Sequence, residues 1–438
     1  MEGLLTVQLI VNAIMCFLVV HLILGHAGIF IYFERKISAY MQDRIGPNRT
    51  GFNLGQEFLP KFGFWGLGQS LADGIKFFVK EDFTPANVDK VLFSLAPLVG
   101  VIPALIGFIV IPWGGVWNAP DWELFGMTIK GGPVTIAGAN INVGVVYLLA
   151  VASLGVYGVT LGGWASNNKF SFLGGLRCTA QMISYEIPLG LSLLAALLLA
   201  GSVVPQEIVQ HQVENGWLLL SQPLAAIVFF TCGLAEANRA PFDNAECEQE
   251  LVGGFHTEYS SMRYALFPLA EYSHMTTSAA FFTLLFLGGY HLPFLPGAQP
   301  EHTALIAALL KFGIFFTKTV LVVCFMMVVR WTIPRMRFDQ VMMVGWQAVI
   351  PISLLVVVVT SFMVYLGRTD ILSMLLANAA MVVVIFAVMP FMPKYVANRR
   401  IPLYGSRFSP MPDEVVITSP TSRLAVEDRP VQGTVPTH

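Results

Sequence analysis

Between Glu236 and Glu271 the chain carries seven acids: Glu236, Asp243, Glu246, Glu248, Glu250, Glu258 and Glu271. Only Arg239 and Arg263 offset them. An acidic loop is ordinarily a solvated surface. Here the neighbouring stretch Leu251-Val252-Gly253-Gly254-Phe255 is apolar, which argues for partial burial. Closely spaced carboxylates raise one another's pKa by repulsion, and burial adds to the rise. Such a row holds shared protons near neutral pH and titrates as a coupled set. That is the chemistry of a proton path or a charge-sensing switch, not of a nucleophile. His256, set among these acids, either joins the relay or is a satisfied structural histidine.

Further ionisable residues interrupt apolar runs: Glu186, Glu236, Glu271, Lys311 and Lys318. A charge within a membrane span costs about 2.5–3.5 kcal/mol on insertion scales and points to function. Glu236, Glu271 and Lys318 are read as functional. Glu186 opens its run and is either functional or interfacial. Lys311, near a run's end, snorkels.

The elements that must position these groups follow from composition. The chain has 438 residues, of which 55% are hydrophobic and 12% charged, with a net charge of −2. Mean hydropathy is +0.67. Soluble domains carry about 25% charged residues, so a soluble globular enzyme is excluded. The near-neutral balance also excludes a disordered chain and a nucleic-acid binder. The five cysteines (Cys16, Cys178, Cys232, Cys247, Cys324) form no C-x-x-C pair and have no histidine at metal-ligand spacing. They read as apolar filler, and no metal site is expected. No G-x-S-x-G, P-loop, dinucleotide fingerprint or H-E-x-x-H occurs.

A span needs about 20 mostly apolar residues. Candidates are 4–33, 91–116, 143–165, 183–204, 222–238, 264–290, 304–329, 344–366 and 371–391. The predicted fold is therefore an all-α integral membrane protein, a polytopic bundle of about nine transmembrane helices. Bases concentrate in alternate loops. Loop 34–90 holds Arg35, Lys36, Arg44, Arg49, Lys61, Lys76, Lys80 and Lys90. Lys169 and Arg177, then Arg239 and Arg263, then Arg330, Arg335 and Arg337 follow on the same side, as does the basic tail, whereas the opposite loops hold only Lys130 and Arg368. The positive-inside rule puts the N-terminus outside and the tail in the cytoplasm. Within loop 34–90, Leu67, Leu71, Ile75, Phe78 and Val79 recur at helical spacing, with Gln69, Asp73, Lys76 and Lys80 opposite. This predicts a cytoplasmic-side amphipathic helix, lying in the interface or packed on protein. Residues 1–394 form the expected membrane domain. The Pro-rich polar tail 395–438 is expected to be flexible or draped on a partner.

Several motifs carry a family resemblance: Glu34-Arg35-Lys36 with Tyr40-Met41-Gln42-Asp43-Arg44-Ile45-Gly46-Pro47-Asn48-Arg49; Leu71-Ala72-Asp73 with Lys76 and Lys80; Leu161-Gly162-Gly163-Trp164-Ala165-Ser166-Asn167-Asn168-Lys169; Ser184-Tyr185-Glu186; Gly233-Leu234-Ala235-Glu236 with Asn238-Arg239 and Pro241-Phe242-Asp243; Gly254-Phe255-His256-Thr257-Glu258-Tyr259-Ser260; Leu269-Ala270-Glu271-Tyr272; and Pro334-Arg335 with Arg337 and Asp339-Gln340. In this order, from about 30 to about 345, the chain resembles the H-type membrane subunit of NADH-quinone oxidoreductase, respiratory complex I. The resemblance implies a quinone-access chamber formed with the peripheral-arm quinone-site subunits, beside neighbouring small membrane subunits and lipid. It places Arg35, Arg44, Asp73, Arg330, Arg335 and Arg337 along or facing that chamber. It makes Glu186, Glu236, Asp243, Glu246, Glu248, Glu250, Glu258 and Glu271 a proton or charge relay, to which the residue reading adds Lys318. Quinone (ubiquinone or menaquinone) is then substrate. FMN and iron–sulfur clusters, and with them electron transfer, belong to partner subunits. The implied setting is a bacterial plasma membrane. The competing expectations are a membrane anchor of a hydrogenase-type complex and a stand-alone cation/proton antiporter. The chain departs from the family pattern in an insert near Phe52–Phe64, in Asn244-Ala245, Cys247 and Gln249 of the acidic loop, and in its ninth span and long tail.

Overall fold

The computed structural model describes residues 6–48, 50, 64–124, 127–246 and 248–391. The insert after Arg49 (except Phe64), Cys247 and the tail from 392 lie outside the described residues. One compact unit runs to Val384, and of the second unit only the first residues, to Phe391, are described.

The helices are, in order, α1 Val7–Met41, α2 Gly68–Val79, α3 Lys90–Ile106, α4 Gly144–Ser153, α5 Gly155–Ala165, α6 Lys169–Ala200, α7 Pro205–Asn215, α8 Leu218–Ser221, α9 Pro223–Glu236, α10 Glu248–Leu251, α11 Ser261–Phe286, α12 Leu305–Thr332, α13 Phe338–Val344, α14 Ile350–Tyr365 and α15 Ile371–Val388. Among the described residues, seven helical stretches are long and apolar enough to cross a membrane. They are α1, α3 with its 3-10 continuation to Val110, α4–α5, α6, α12, α13–α14 and α15. The chain is thus a mostly helical, multi-pass membrane protein. Two expected spans fall short of that test. α9 has 14 residues, about 21 Å at 1.5 Å per residue. α11 has 26 residues but carries Arg263, Glu271, His274 and a run of Ser and Thr.

Observed ends differ from the expected ones for local reasons. α1 starts where the Thr6 hydroxyl accepts from Leu9 N at 3.3 Å. It buries Val7, Val11, Met15, Val19, Ile23, Ala27 and Phe30 on one stripe. It continues past Phe33 through Glu34-Arg35-Lys36, so that its 35 residues span about 52 Å, well beyond a hydrocarbon core of about 30 Å. α6 begins earlier than 183, because Asn168 accepts from Phe170 N at 2.9 Å and caps it there. Glu186 therefore sits mid-helix rather than at the start. The second expected span stops at Val110, and Gly115 turns the chain at φ +71°.

An antiparallel hairpin, absent from the all-helical expectation, fills the loop between α3 and α4. Its outer strands β1 Val116–Ala119 and β4 Gly132–Thr135 pair Val116 with Thr135 and Ala119 with Gly132. Its inner strands β2 Trp122–Leu124 and β3 Met127–Ile129 continue it. Gln8 on α1 holds both backbone polar groups of Thr135, donating to its carbonyl and accepting from its N–H, each at 2.9 Å. The first turn of α1 is thereby tied to the hairpin.

α3 packs on α5 and α11, α6 on α5, α9 and α14, and α11 on α1 and α12. The α3–α5 approach needs glycine: a Cβ on Gly158 would lie 2.6 Å from the Gly100 backbone. α11 is buried along most of its length from Tyr272 to Phe286. Every polar group it carries there must find a protein partner.

Candidate functional site

The last turns of α1, the end of α9, the first half of α11 and the end of α12 converge, and each delivers charge. Glu34 is buried at the end of α1. Its carboxylate accepts from the Tyr272 hydroxyl of α11 and from the Arg330 guanidinium of α12. Arg239, just beyond α9, stands between two acids: one Nη lies 3.7 Å from Glu34 and the other 3.3 Å from Glu271. Its guanidinium lies 4.3 Å from the centroid of the Tyr272 ring, a cation–π contact. Arg239 is 7% exposed. A buried base survives there because acids and an aromatic face compensate it.

Beyond Glu271 the contacts turn into the acidic loop. The side chains of Glu271 and Glu246 interact directly, which carries the chain of charges from α11 into the loop. Glu246 also lies 3.4 Å from His256 Nδ1. Burial works against ionisation of Glu246, but the nearby His256, with Arg239 behind, outweighs it and holds this carboxyl below the ordinary range. Asp243 differs. Burial, then the neighbouring Glu246, push it up to about 6, against the pull of Arg335, Arg330 and Arg239. Arg335 lies 3.7 Å from the Asp243 carboxylate and also donates to its backbone carbonyl.

Gln181 fixes this loop to the bundle. The two hydrogens of its amide nitrogen are shared among three acceptors, Phe242 O at 2.7 Å, Ala235 O at 3.0 Å and Asn238 Oδ1 at 3.2 Å. Asn238 takes a left-handed φ of 49° as the chain leaves α9. Glu236 and Glu271 line a cavity of about 30 Å³ with His274 and Asn238. Glu186 on α6 acts on Glu236 through space.

A second cluster joins α1 to α2. Arg35 pairs with Asp73 at 2.9 Å, and Lys76 lies 3.7 Å from the same acid. Gln69 donates to Asp73 at 2.9 Å, and Ser70 donates to Gly28 O at 2.5 Å. Leu71, Ile75, Phe78 and Val79 point outward, exposed. Between α1, α12 and the turn at Trp65 lies a cavity of about 470 Å³, lined by Tyr32, Phe33, Lys36, Tyr40, Trp65 and Cys324.

The remaining predicted residues lie apart. Glu250 pairs with Arg177 at the surface. Glu258 accepts from Asn168, the cap of α6, at 2.6 Å. Glu248 opens α10, and its side chain lies outside the described residues. Arg44 and Arg337 are exposed and have no side-chain partner among the described residues. Lys318 donates to Leu287 O at 2.7 Å, Gly289 O at 3.0 Å and His291 O at 2.7 Å. It stands 4.7 Å over the Trp217 ring. These carbonyls follow the end of α11, sixteen residues past Glu271 and so roughly 24 Å along the helix direction. Lys318 thus satisfies a helix end, not the carboxylate cluster. Lys311 likewise donates to His302 O at 2.8 Å.

Glu34, Arg239, Tyr272 and His274 complete the cluster, yet only two carried a usable sequence signal. Tyr272 and His274 both follow Glu271 on one helix, with His274 three residues on. Glu34 reads in sequence as the start of an interfacial charge run, and its burial depends on α11 and α12.

The NADH dehydrogenase family model matches residues 13–361. An H-type subunit of NADH-quinone oxidoreductase from Cytophaga hutchinsonii is 44% identical over 331 residues, 75% of this chain and 89% of that protein. An H-type subunit of the same enzyme from Geobacter sulfurreducens is 43% identical over 363 residues, 82% and 96% of the two chains. That of Leptospira biflexa is 46% identical over 332 residues, 75% and 87%.

Proposed function

The chain belongs to the NADH dehydrogenase family as an H-type membrane subunit of NADH-quinone oxidoreductase, and from that premise we propose that it lets quinone reach the peripheral arm and couples quinone reduction to proton translocation. The observation that carries this reading is the run of charged contacts from Arg330 through Glu34, Arg239 and Glu271 to Glu246 and His256. A proton or charge displaced at one end is felt at the other, because each member is paired with the next in a largely buried setting.

In this reading α9 and α11 cross the membrane with the seven more apolar stretches, nine in all. The N-terminus is outside, and α2 lies along the cytoplasmic interface. Quinone enters near α1, α2 and α11, where Arg35, Arg44 and Asp73 meet it and Arg330, Arg335 and Arg337 face the same side. Electron transfer is the task of partner subunits carrying FMN and iron–sulfur clusters. Charge developed on the quinone alters the pairing of Glu34 with Arg330. Arg239 transmits the change to Glu271, and Asp243, Glu246, Glu248, Glu250 and Glu258 respond by moving or taking protons. Glu236 and Glu186 carry it inward. Lys318 holds the far end of α11 in place rather than carrying charge.

The test is an assembled oxidoreductase bearing Glu246→Gln and Glu271→Gln together, assayed in sealed membranes for NADH:quinone turnover and protons moved per electron. A fall in both, with normal assembly, is expected. Wild-type rate and proton yield would refute the relay.

A further inference from the structure

His274 lies on α11 one turn beyond Glu271, and it is 7% exposed. It lines two small cavities. The first, about 30 Å³, also touches Glu271 and Asn238. The second, about 10 Å³, also touches Thr277, Ser278 and Leu148. Glu236 is the one other titratable side chain, among the described residues, that lines both. A water needs roughly 10–15 Å³ of such space, so each cavity is about the size of one water, with a mostly apolar wall interrupted by these polar groups.

The imidazole is oriented from one side only. Its Nε2 lies 3.3 Å from the carbonyl of Ala152, in the last turn of α4. A carbonyl can only accept, so Nε2 carries the hydrogen and Nδ1 the lone pair. Nδ1 is buried and has no protein partner. The break between α4 and α5 makes room for this ring: a Cβ on Gly155 would lie 3.1 Å from Nε2. The adjacent polar groups do not use Nδ1. The Thr277 hydroxyl has its one hydrogen directed at carbonyls, with Ser273 O at 2.9 Å and Ala104 O at 3.1 Å as the acceptors within reach.

We propose that His274 is a proton-carrying link between the two cavities: Nδ1 takes a proton from the Glu271 side to give the imidazolium, which Glu236 stabilises, and the same Nδ1–H then leaves toward the Ser278 side while Nε2–H stays on Ala152 O. The charged groups around it are Glu236 from α9, Glu271 from its own helix, Arg239 behind Glu271, and Glu186 acting through Glu236. No bond other than N–H and O–H forms or breaks. This inference rests on the carboxylate relay proposed above.

His274→Asn and His274→Gln keep an amide N–H for Ala152 and lose the titrating nitrogen. In membranes holding the assembled oxidoreductase, both should lower turnover and proton yield about tenfold, below the usual range for a lost proton-transfer group. Their deficit should change across pH 6–8. Wild-type turnover and yield in assembled variants would overturn the proposal. Loss of assembled complex in both would assign His274 a packing role and overturn it equally. Glu236→Gln and Glu271→Gln, run in parallel, separate the two ideas. If these are impaired while the histidine variants are not, only the role of His274 falls. If all are wild type, the relay itself falls.

Discussion

Replacing Arg335 by glutamine should move the titration of Asp243. Asp243 sits at about 6 because burial and Glu246 raise it and Arg335, Arg330 and Arg239 restrain it. Arg335 is 3.7 Å from its carboxylate. At that distance the attraction is about 1 kcal/mol at the dielectric of water and about 4.5 kcal/mol at an effective value of 20. The two side chains keep 30% and 19% of their exposure, so screening places the interaction toward the lower figure. One pKa unit is about 1.36 kcal/mol. The substitution should therefore move Asp243 from about 6 to about 7. The assay is NADH:quinone turnover of the assembled complex between pH 5 and pH 8. Wild type should show an inflection near 6, Arg335→Gln one near 7, and Asp243→Asn none. An unmoved inflection in an assembled Arg335→Gln variant would refute the reasoning. The sign for stability follows as well. The folded value lies above the ordinary one, so the contribution of Asp243 is complete at low pH and is lost as pH rises through about 6. Asp243→Asn should remove that loss.

Arg239→Gln leaves Glu34 and Glu271 buried without their shared cation and should cost about 3–5 kcal/mol, read as faster thermal inactivation of the assembled enzyme. Arg239→Lys should recover only part of it, because an ammonium cannot fork between two acids. Lys318→Met removes three charge-assisted bonds at the end of α11, each worth roughly 1.5–3 kcal/mol. The yield of assembled complex should fall, while proton yield per electron in what assembles stays normal. Gly158→Ala forces a Cβ within 2.6 Å of the Gly100 backbone and should cost about 1–3 kcal/mol by overpacking, again seen in assembly yield.

The membrane class of the chain was legible in residues alone, because burial in lipid demands long apolar runs and basic residues gather in alternate loops. Of the acidic stretch from Glu236 to Glu271, the structure sets Asp243, Glu246 and Glu271 against one another, whereas Glu250 pairs with Arg177 and Glu258 with Asn168. α2 appeared through its period, and its apolar face is the exposed one. The family could be recognised because its motifs are contiguous in the chain. The hairpin at 116–135 could not, because an apolar, Gly-rich loop has no decisive period. Helix ends were displaced where a cap or a charged extension, such as Asn168 or Glu34-Arg35-Lys36, outweighed hydropathy.

Tertiary structure alone decided which charges meet. Glu34 and Arg330 are 296 positions apart, and no local rule joins them. Arg239 looked in sequence like one of two bases offsetting many acids, but the crossing of α1, α9 and α11 makes it the bridge between two particular carboxylates. Lys318 looked like a relay member because a lysine within an apolar run is costly. The fold instead supplies three carbonyls at the end of α11, which satisfy the ammonium where it stands. Sequence sets the cost of burying each charge, whereas packing sets the partner that offsets it. In a low-dielectric bundle the partner determines the role.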